Sequence, residues 1–306
     1  MDKGGKKSWE EYCKQNLGAV TPLLLDEGFE LESDQPHIQG ERYILSGEKL
    51  VLYGVQITTN KRVVIKITSN TSIAQELEKE RVAHEMLSKI RFAYHTFYSP
   101  KEILFGRRNV YTFYITEFVP QDKTFLERSL EEQLFFALKA LEAQEGSHAT
   151  THQHVKDVRS AFDVYDGDRY LSQVQIFQKE IISNLSEKKT ALHEEINIAV
   201  TTLSDSKDML NLYSSFLTHW DFVPHNIRIN KRDIYLLDHT AIRFGNKYEG
   251  WARFMNFMTL HNPALEQALH NYIETNRDTD ELEALRLMRI YRLVELIWFY
   301  SKNLLI

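Results

Sequence analysis

Cysteine is nearly absent: of 306 residues only Cys13 carries a thiol. One thiol closes no internal disulfide and builds no cysteine-based zinc site, so a reducing, cytoplasmic setting is expected. Long apolar runs are missing too, and none approaches the roughly 20 residues that span a bilayer. The run 293–300 is interrupted by Glu295 and bounded by Lys302, so no membrane partner is expected. The N-terminal Met1-Asp-Lys-Gly-Gly-Lys-Lys has basic residues but no apolar run behind it, and no secretory signal is visible. Nor is there an excess of positive charge. Lys and Arg total 37 against 43 Asp and Glu, a net −6, which argues against broad nucleic-acid binding. No repeat of solenoid period is found, and nothing specifies an oligomeric state. What remains is a chain with 43% hydrophobic and 12% aromatic residues, folded and long enough for one large or two medium domains.

One stretch stands out, Thr218-His219-Trp220-Asp221-Phe222-Val223-Pro224-His225-Asn226, which reads His-x-Asp-x4-Asn. Twelve residues past Asn226, after the apolar run 234–237, comes Asp238. Kinase-type phosphotransferases place a base and two metal ligands at this spacing. Asp221 would take the proton of an attacking hydroxyl, while Asn226 and Asp238 would offer oxygens to Mg²⁺, a hard cation. Strands at 227–229 and 234–237, joined by the turn Asn230-Lys-Arg-Asp233, would return Asp238 to the side of Asn226.

Upstream, 8–17 and 21–28 read as two short helices, the second starting at Thr21-Pro22 and stopping at Gly28. Strands are predicted over 41–45, 50–57 and 62–67, then a helix over 72–89, then strands over 102–105 and 110–119. Lys66 lies inside the apolar run 63–67. It either meets an anion or points to the wet face that it shares with Val64 and Thr68. In the helix, Glu80 is the preferred partner and Glu76, one turn earlier, the alternative. The chain turns from strand to helix near 117–121, which sets a nucleotide-binding domain at 1–119 and a helical domain with catalytic loop and acceptor site at 120–306. Residues 129–143 form a helix with apolar Leu130, Leu134, Phe135, Leu138 and Leu141. Further helices follow over 155–217, after Asn262-Pro263, and from Asp278 to Lys302, with a doubled apolar pattern in the last.

This order resembles the protein-kinase-like fold, and most closely its aminoglycoside and choline phosphotransferase branch. The stretch 218–226 is similar to that branch's His-Gly-Asp-Leu-His-Pro-Gly-Asn, Leu237-Asp238 to its Ile-Asp, and Glu80-x6-Leu87 to its Arg-Glu helix. The resemblance implies a bilobal α+β fold, with a five-stranded antiparallel sheet and one main helix ahead of a mostly helical lobe. It also implies that Lys66 contacts the α- and β-phosphates of ATP or GTP and that Glu80 orients Lys66. The backbone of Glu117 to Val119 would bond adenine with Thr116 beside it, Gly47 would belong to the loop over the nucleotide, and His219 would brace the catalytic loop. Departures are visible. Gly47 and Gly54 do not make Gly-x-Gly-x-x-Gly, Trp220 and His225 replace small residues, and the branch's Asp-Pro-x-x-Asp-Leu-Ala is missing, the chain running Phe244-Gly-Asn-Lys-Tyr-Glu-Gly-Trp-Ala-Arg-Phe254 instead. No Ala-Pro-Glu follows Asp238, so the acceptor is expected to be a small molecule, not a protein. The implied activity is ATP-dependent transfer of the γ-phosphoryl group to a small-molecule hydroxyl; the alternative is a nucleotide-binding pseudokinase acting as regulator or scaffold.

Two other clusters read as ordinary structure. His148-x3-His152-x-His154 has metal-like residue types but no close acidic partner, and is read as a loop with solvated histidines. Asp163-x2-Asp166-Gly167-Asp168 lacks the alternating ligands and closing glutamate of a calcium loop, and is read as a turn.

Overall fold

The computed structural model describes residues 4–36, 49–92, 97–153, 155–185 and 190–303. The predicted strand 41–45, Gly47 and His154 lie outside them. The chain divides into two compact units, Met1–Glu85 with Ser99–Pro120, and Met86–Tyr98 with Gln121–Leu305. Residues 86–98 thus group with the second unit.

The first unit is built on an antiparallel sheet of order β1-β2-β3-β5-β4, from β1 (Phe29–Leu31), β2 (Leu50–Gln56), β3 (Lys61–Thr68), β4 (Glu102–Arg108) and β5 (Tyr111–Glu117). Alternation sorts its faces. Val63, Ile65 and Ile67 of β3 join Leu50, Leu52, Phe113 and Ile115 in a core closed by Cys13, Val20 and Leu24 of α1 (Gly4–Asp26). Lys66 takes the opposite face, toward α2 (Thr71–Ser88). Asn60 and Asn109 close two hairpins with φ of 53° and 52°, a conformation that asparagine tolerates better than most residues.

Two expectations change here. The predicted pair of N-terminal helices is one helix with Pro22 inside it. A proline removes one hydrogen bond and presses on the carbonyl four residues back. The helix continues because Val20 and Leu24, on either side of Pro22, are both anchored in the sheet core. Thr21, expected to cap a second helix, instead donates its hydroxyl to Leu17 O at 2.6 Å. The edge strand β1 was not read from the sequence; its three residues are too few to show a period. Gly28, at φ 86°, makes the turn between α1 and β1.

The second unit is mostly helical. α3 (Leu130–Gly146) opens with a capping box in which Ser129 and Glu132 bond each other's backbone N–H. Its buried face is Gln133, Phe136, Ala137, Ala140, Leu141 and Gln144, whereas Leu130 and Phe135 of the predicted stripe are 42% and 53% exposed. The stripe was misplaced because two inward positions are glutamines, tolerated by hydrogen bonding. Gln133 Nε2 donates to Arg128 O at 2.8 Å, and Gln144 Oε1 accepts from His219 N at 2.9 Å.

The predicted loop at 148–154 is instead helical from His148 to Gln153 (α4), with Thr151 fully buried and His148 stacked on Phe216 at 4.0 Å. Then come α5 (Val155–Val158), α6 (Gly167–Asn184), α7 (Thr190–Asp205) and α8 (Lys207–Leu212). Asp166 caps α6 by accepting from Arg169 N at 2.9 Å, which explains the acidic turn without a cation. β6 (Phe216–His219) pairs with β9 (Ile242–Gly245), and β7 (Ile227–Asn230) with β8 (Asp233–Leu236), both antiparallel. The chain ends in α9 (Glu249–His261), α10 (Pro263–Asn276) and α11 (Thr279–Asn303), around fully buried Trp251, Tyr248, Phe254 and Tyr291. Among the described residues no helix is long and apolar enough to cross a membrane.

Candidate active site

In the first unit, Lys66 lies opposite Tyr114 on the neighbouring strand, and its ammonium bonds Glu80 Oε1. The side chains are 17% and 8% exposed. Glu80 falls in the buried stripe of α2 with Leu77, Ala83 and Leu87, whereas Glu76 is exposed. A lysine in an apolar strand is thus satisfied by the one helix carboxylate that shares its buried face. Tyr114 Oη lies 3.2 Å from His84 Nδ1. Burial lowers the His84 pKa, against the pull of Glu102 and Glu80. At the end of β5, Glu117 is tied to Lys101 through its N–H (2.9 Å) and its carboxylate (3.1 Å). Phe118 N bonds Arg62 O, and the Arg62 guanidinium covers the Phe118 ring at 4.0 Å while gripping Glu32 with two bonds. Val119 is buried.

In the second unit, β6 delivers His219, which is fully buried. Its Nε2 is 2.9 Å from Leu237 O. A carbonyl only accepts, so the ring proton sits on Nε2. Two residues on, Asp221 Oδ1 accepts from Arg253 Nε at 2.8 Å, and Oδ2 from Asn226 Nδ2 at 3.0 Å. The same Nδ2 reaches Asp221 O at 2.9 Å. These two acceptors fix the Asn226 amide and leave its Oδ1 as the oxygen to offer elsewhere. The β7–β8 hairpin returns the chain so that Leu237 N donates to Asn226 O at 2.8 Å. Asp238 follows at φ 59°, ψ 68°, left-handed, with its carboxylate bonded by Thr240 Oγ1. One hydrogen-bonded cluster therefore holds His219, Asp221, Asn226 and the Leu237-Asp238 corner.

No protein-family model and no curated protein sequence matches this chain. Solved structures do. An aminoglycoside 2'-phosphotransferase-IIIa in its GDP complex superposes with a TM-score of 0.64 at 12% identity, over 95% of this chain and 91% of that one. A macrolide 2'-phosphotransferase type I gives 0.61 at 13%, over 94% and 92%. An amicoumacin kinase in complex with AMP-PNP, Ca²⁺ and its antibiotic gives 0.55 at 13%, over 98% and 88%. The chain has the protein-kinase-like α+β fold of the antibiotic phosphotransferases.

Within this phosphotransferase fold several contributors carried no motif. Gln144 on α3 holds the backbone of His219, and Arg253 on α9 holds Asp221. α9 is legible in hindsight, because Trp251, Phe254, Met255 and Met258 follow a helical period. Where Asp-Pro-x-x-Asp-Leu-Ala was absent from the sequence, a different buried network stands. Glu249, fully buried, bonds Arg243 through both carboxylate oxygens and accepts from Tyr170 Oη at 2.9 Å. Tyr170 Oη in turn accepts from Asn246 N at 2.8 Å. Arg243 is buried, and against that cost the Glu249 carboxylate holds its pKa well above the ordinary value. Arg243 and Arg292 lie 5.3 and 5.0 Å from the Trp220 ring, so the large residue between His219 and Asp221 is backed by two cations. His148 and His152 are 6.4 Å apart. Among the described residues, no group of three or more His, Cys, Asp or Glu is placed to hold a metal.

Proposed function

We propose that this protein transfers the γ-phosphoryl group of ATP or GTP to the hydroxyl of a small molecule. The supporting observation is the single cluster in which Asp221, Asn226 and Asp238 are knit together by the β7–β8 hairpin. On this reading Asp221 orients the acceptor hydroxyl and accepts its proton as the new P–O bond forms. The bond between the β-phosphate's bridging oxygen and the γ-phosphorus breaks, and the nucleoside diphosphate leaves with that oxygen. Asn226 Oδ1 and the Asp238 carboxylate are hard oxygen donors that fit Mg²⁺, an ion usually held by one or two protein oxygens plus phosphates. Such an ion supplies neutralisation of the triphosphate charge. Lys66, fixed by Glu80, meets the α- and β-phosphates, and the backbone of Glu117 and Val119 meets the base. The nucleotide would bind through residues 1–119, and 120–306 would supply catalysis and the acceptor wall.

The matched structures carry names of enzymes acting on aminoglycosides, a macrolide and amicoumacin. Antibiotics of these classes, with choline-like amines, sugars and hydroxy amino acids, form the first acceptor panel. A second reading, a nucleotide-binding scaffold without turnover, draws on the engagement of both Asp221 carboxylate oxygens. Asp221→Asn separates the two. It is expected to leave nucleotide-induced thermal stabilisation in place and to lower ATP consumption about 10²- to 10⁴-fold. Equal consumption by parent and variant would remove Asp221 from the chemistry. Stabilisation by nucleotide with no consumption in the parent on any acceptor would favour the scaffold.

A further inference from the structure

We propose that Arg253 is the positioning residue for Asp221, setting the direction in which its carboxylate faces the acceptor; the inference rests on the phosphotransferase reading above. Three observations carry it. First, Arg253 Nε donates to Asp221 Oδ1 at 2.8 Å, while the other oxygen is held by Asn226 Nδ2 at 3.0 Å. Two donors on different oxygens fix the plane of a carboxylate, as one donor cannot. Each oxygen has a second lone pair, so a hydroxyl proton can still be received in that fixed plane.

Second, the support is rigid. α9 is anchored by buried Trp251, Ala252, Phe254, Met255 and Met258 on both sides of Arg253. Its first turn lies hard against the strand that leads to Asp221. A Cβ on Gly250 would come to 3.1 Å from His219 O and 3.2 Å from Thr218 Oγ1. The close approach of Gly250 to β6 thus sets the distance between Arg253, three residues on, and Asp221, two residues past the strand end. A guanidinium on a packed helix is a better locator than one on a loop.

Third, Arg253 is not needed to fill the core. Its side chain is 21% exposed, whereas its neighbours Ala252 and Phe254 are fully buried. Its hydrogen bond is to the carboxylate of Asp221, from helix to loop, 32 residues apart in sequence. This differs from Arg243, whose guanidinium is buried against Glu249 within the structural network.

The chemistry asks for no added reactant. The acceptor hydroxyl loses its proton to Asp221, its oxygen takes the γ-phosphoryl group, and the nucleoside diphosphate departs. Arg253 neither gains nor loses a proton, and its effect is on how often Asp221 and the hydroxyl are aligned.

The test uses the full chain and three variants, Arg253→Met, Arg253→Lys and Arg253→Ala, beside Asp221→Asn. Turnover is followed as ATP consumption with an acceptor from the panel or, failing one, as the slow transfer to water. Arg253→Met keeps the length of the stem without the donor. It is expected to lower kcat about ten- to a hundredfold, with KM for ATP changed less than about threefold. Arg253→Lys should retain part of the rate, and guanidinium ion at millimolar concentration should restore part of the rate of Arg253→Ala. A merely structural arginine predicts loss of melting temperature in step with rate, and no rescue; that result, or unchanged turnover in Arg253→Met, overturns the inference. If Asp221→Asn alone loses turnover, the inference fails and the phosphotransferase reading stands. If Asp221→Asn also keeps it, or if the parent consumes no ATP, both fail.

Discussion

At the scale of single residues, legibility followed cost. Lys66 in an apolar strand and Asp221 in a His-x-Asp-x4-Asn run are expensive or unusual placements, so the sequence exposes them, and the structure pairs Lys66 with Glu80 and Asp221 with Asn226. Their chemical roles belong to the proposal. Gln144 and Arg253 were invisible because glutamine and arginine on amphipathic helices are commonplace, and only tertiary contact gives them a task. Gln144 makes a sharp prediction. Its side-chain oxygen accepts the His219 N–H in a fully buried setting. Gln144→Leu keeps the volume but leaves that N–H without this acceptor, and should cost about 1–3 kcal/mol of unfolding free energy. Urea titration measures it, and a midpoint equal to that of the parent would show that the bond is replaceable.

At the scale of elements, the sheet was more legible than its surroundings. The β2, β3, β4 and β5 strands carry alternation or β-branched runs, and asparagine marks two of their turns. The misreadings have one cause each. Pro22 suggested a helix start, and packing of Val20 and Leu24 overrode it. Gly146 suggested a break, yet Ser147 bonds back to Ala143 O and the chain re-enters a helix at once. The predicted stripe of α3 assumed apolar inward positions, and two of them are glutamines. α9 was passed over because the motif expected before it was missing. The network that occupies its place is tight enough to test. A Cβ on Gly245 would sit 2.5 Å from Tyr170 Oη and 2.7 Å from Glu249 Oε2. Gly245→Ala must therefore push apart a tyrosine, a carboxylate and the Arg243 that it pairs with, all buried. Overpacking of this kind costs about 1–3 kcal/mol, and opening a buried ion pair adds to it. Thermal melts should place Gly245→Ala well below the parent; a melting temperature within error of the parent would mean that the network yields freely.

At the scale of the whole chain, pH dependence follows from histidines distributed over both units. Burial holds His84 and His148 below the ordinary imidazole value of 6.5. His225 is lowered by burial and by its neighbours His261, Arg228 and Arg253, against the opposing pull of Asp221. In the unfolded chain these groups take up a proton near 6.5; in the folded chain they do so only at lower pH. Between the two values the unfolded state binds more protons, so their contribution to stability is complete above 6.5 and is lost as the pH falls. Glu145 and Glu295 act in the opposite sense. Burial raises both above the ordinary 4.5, the folded state binds more protons there, and acidification through that range returns stability. The unfolding free energy should therefore decline as the pH falls below 6.5, a loss that the two glutamates partly offset as they protonate. Substituting glutamine at His84, His148 or His225 removes one titrating group each, and should flatten the initial decline. Imidazole resonances followed by NMR should titrate below 6.5 for all three. Histidines that titrate at or above that value, or variants that keep the full slope of the parent, would place the acid sensitivity in other groups.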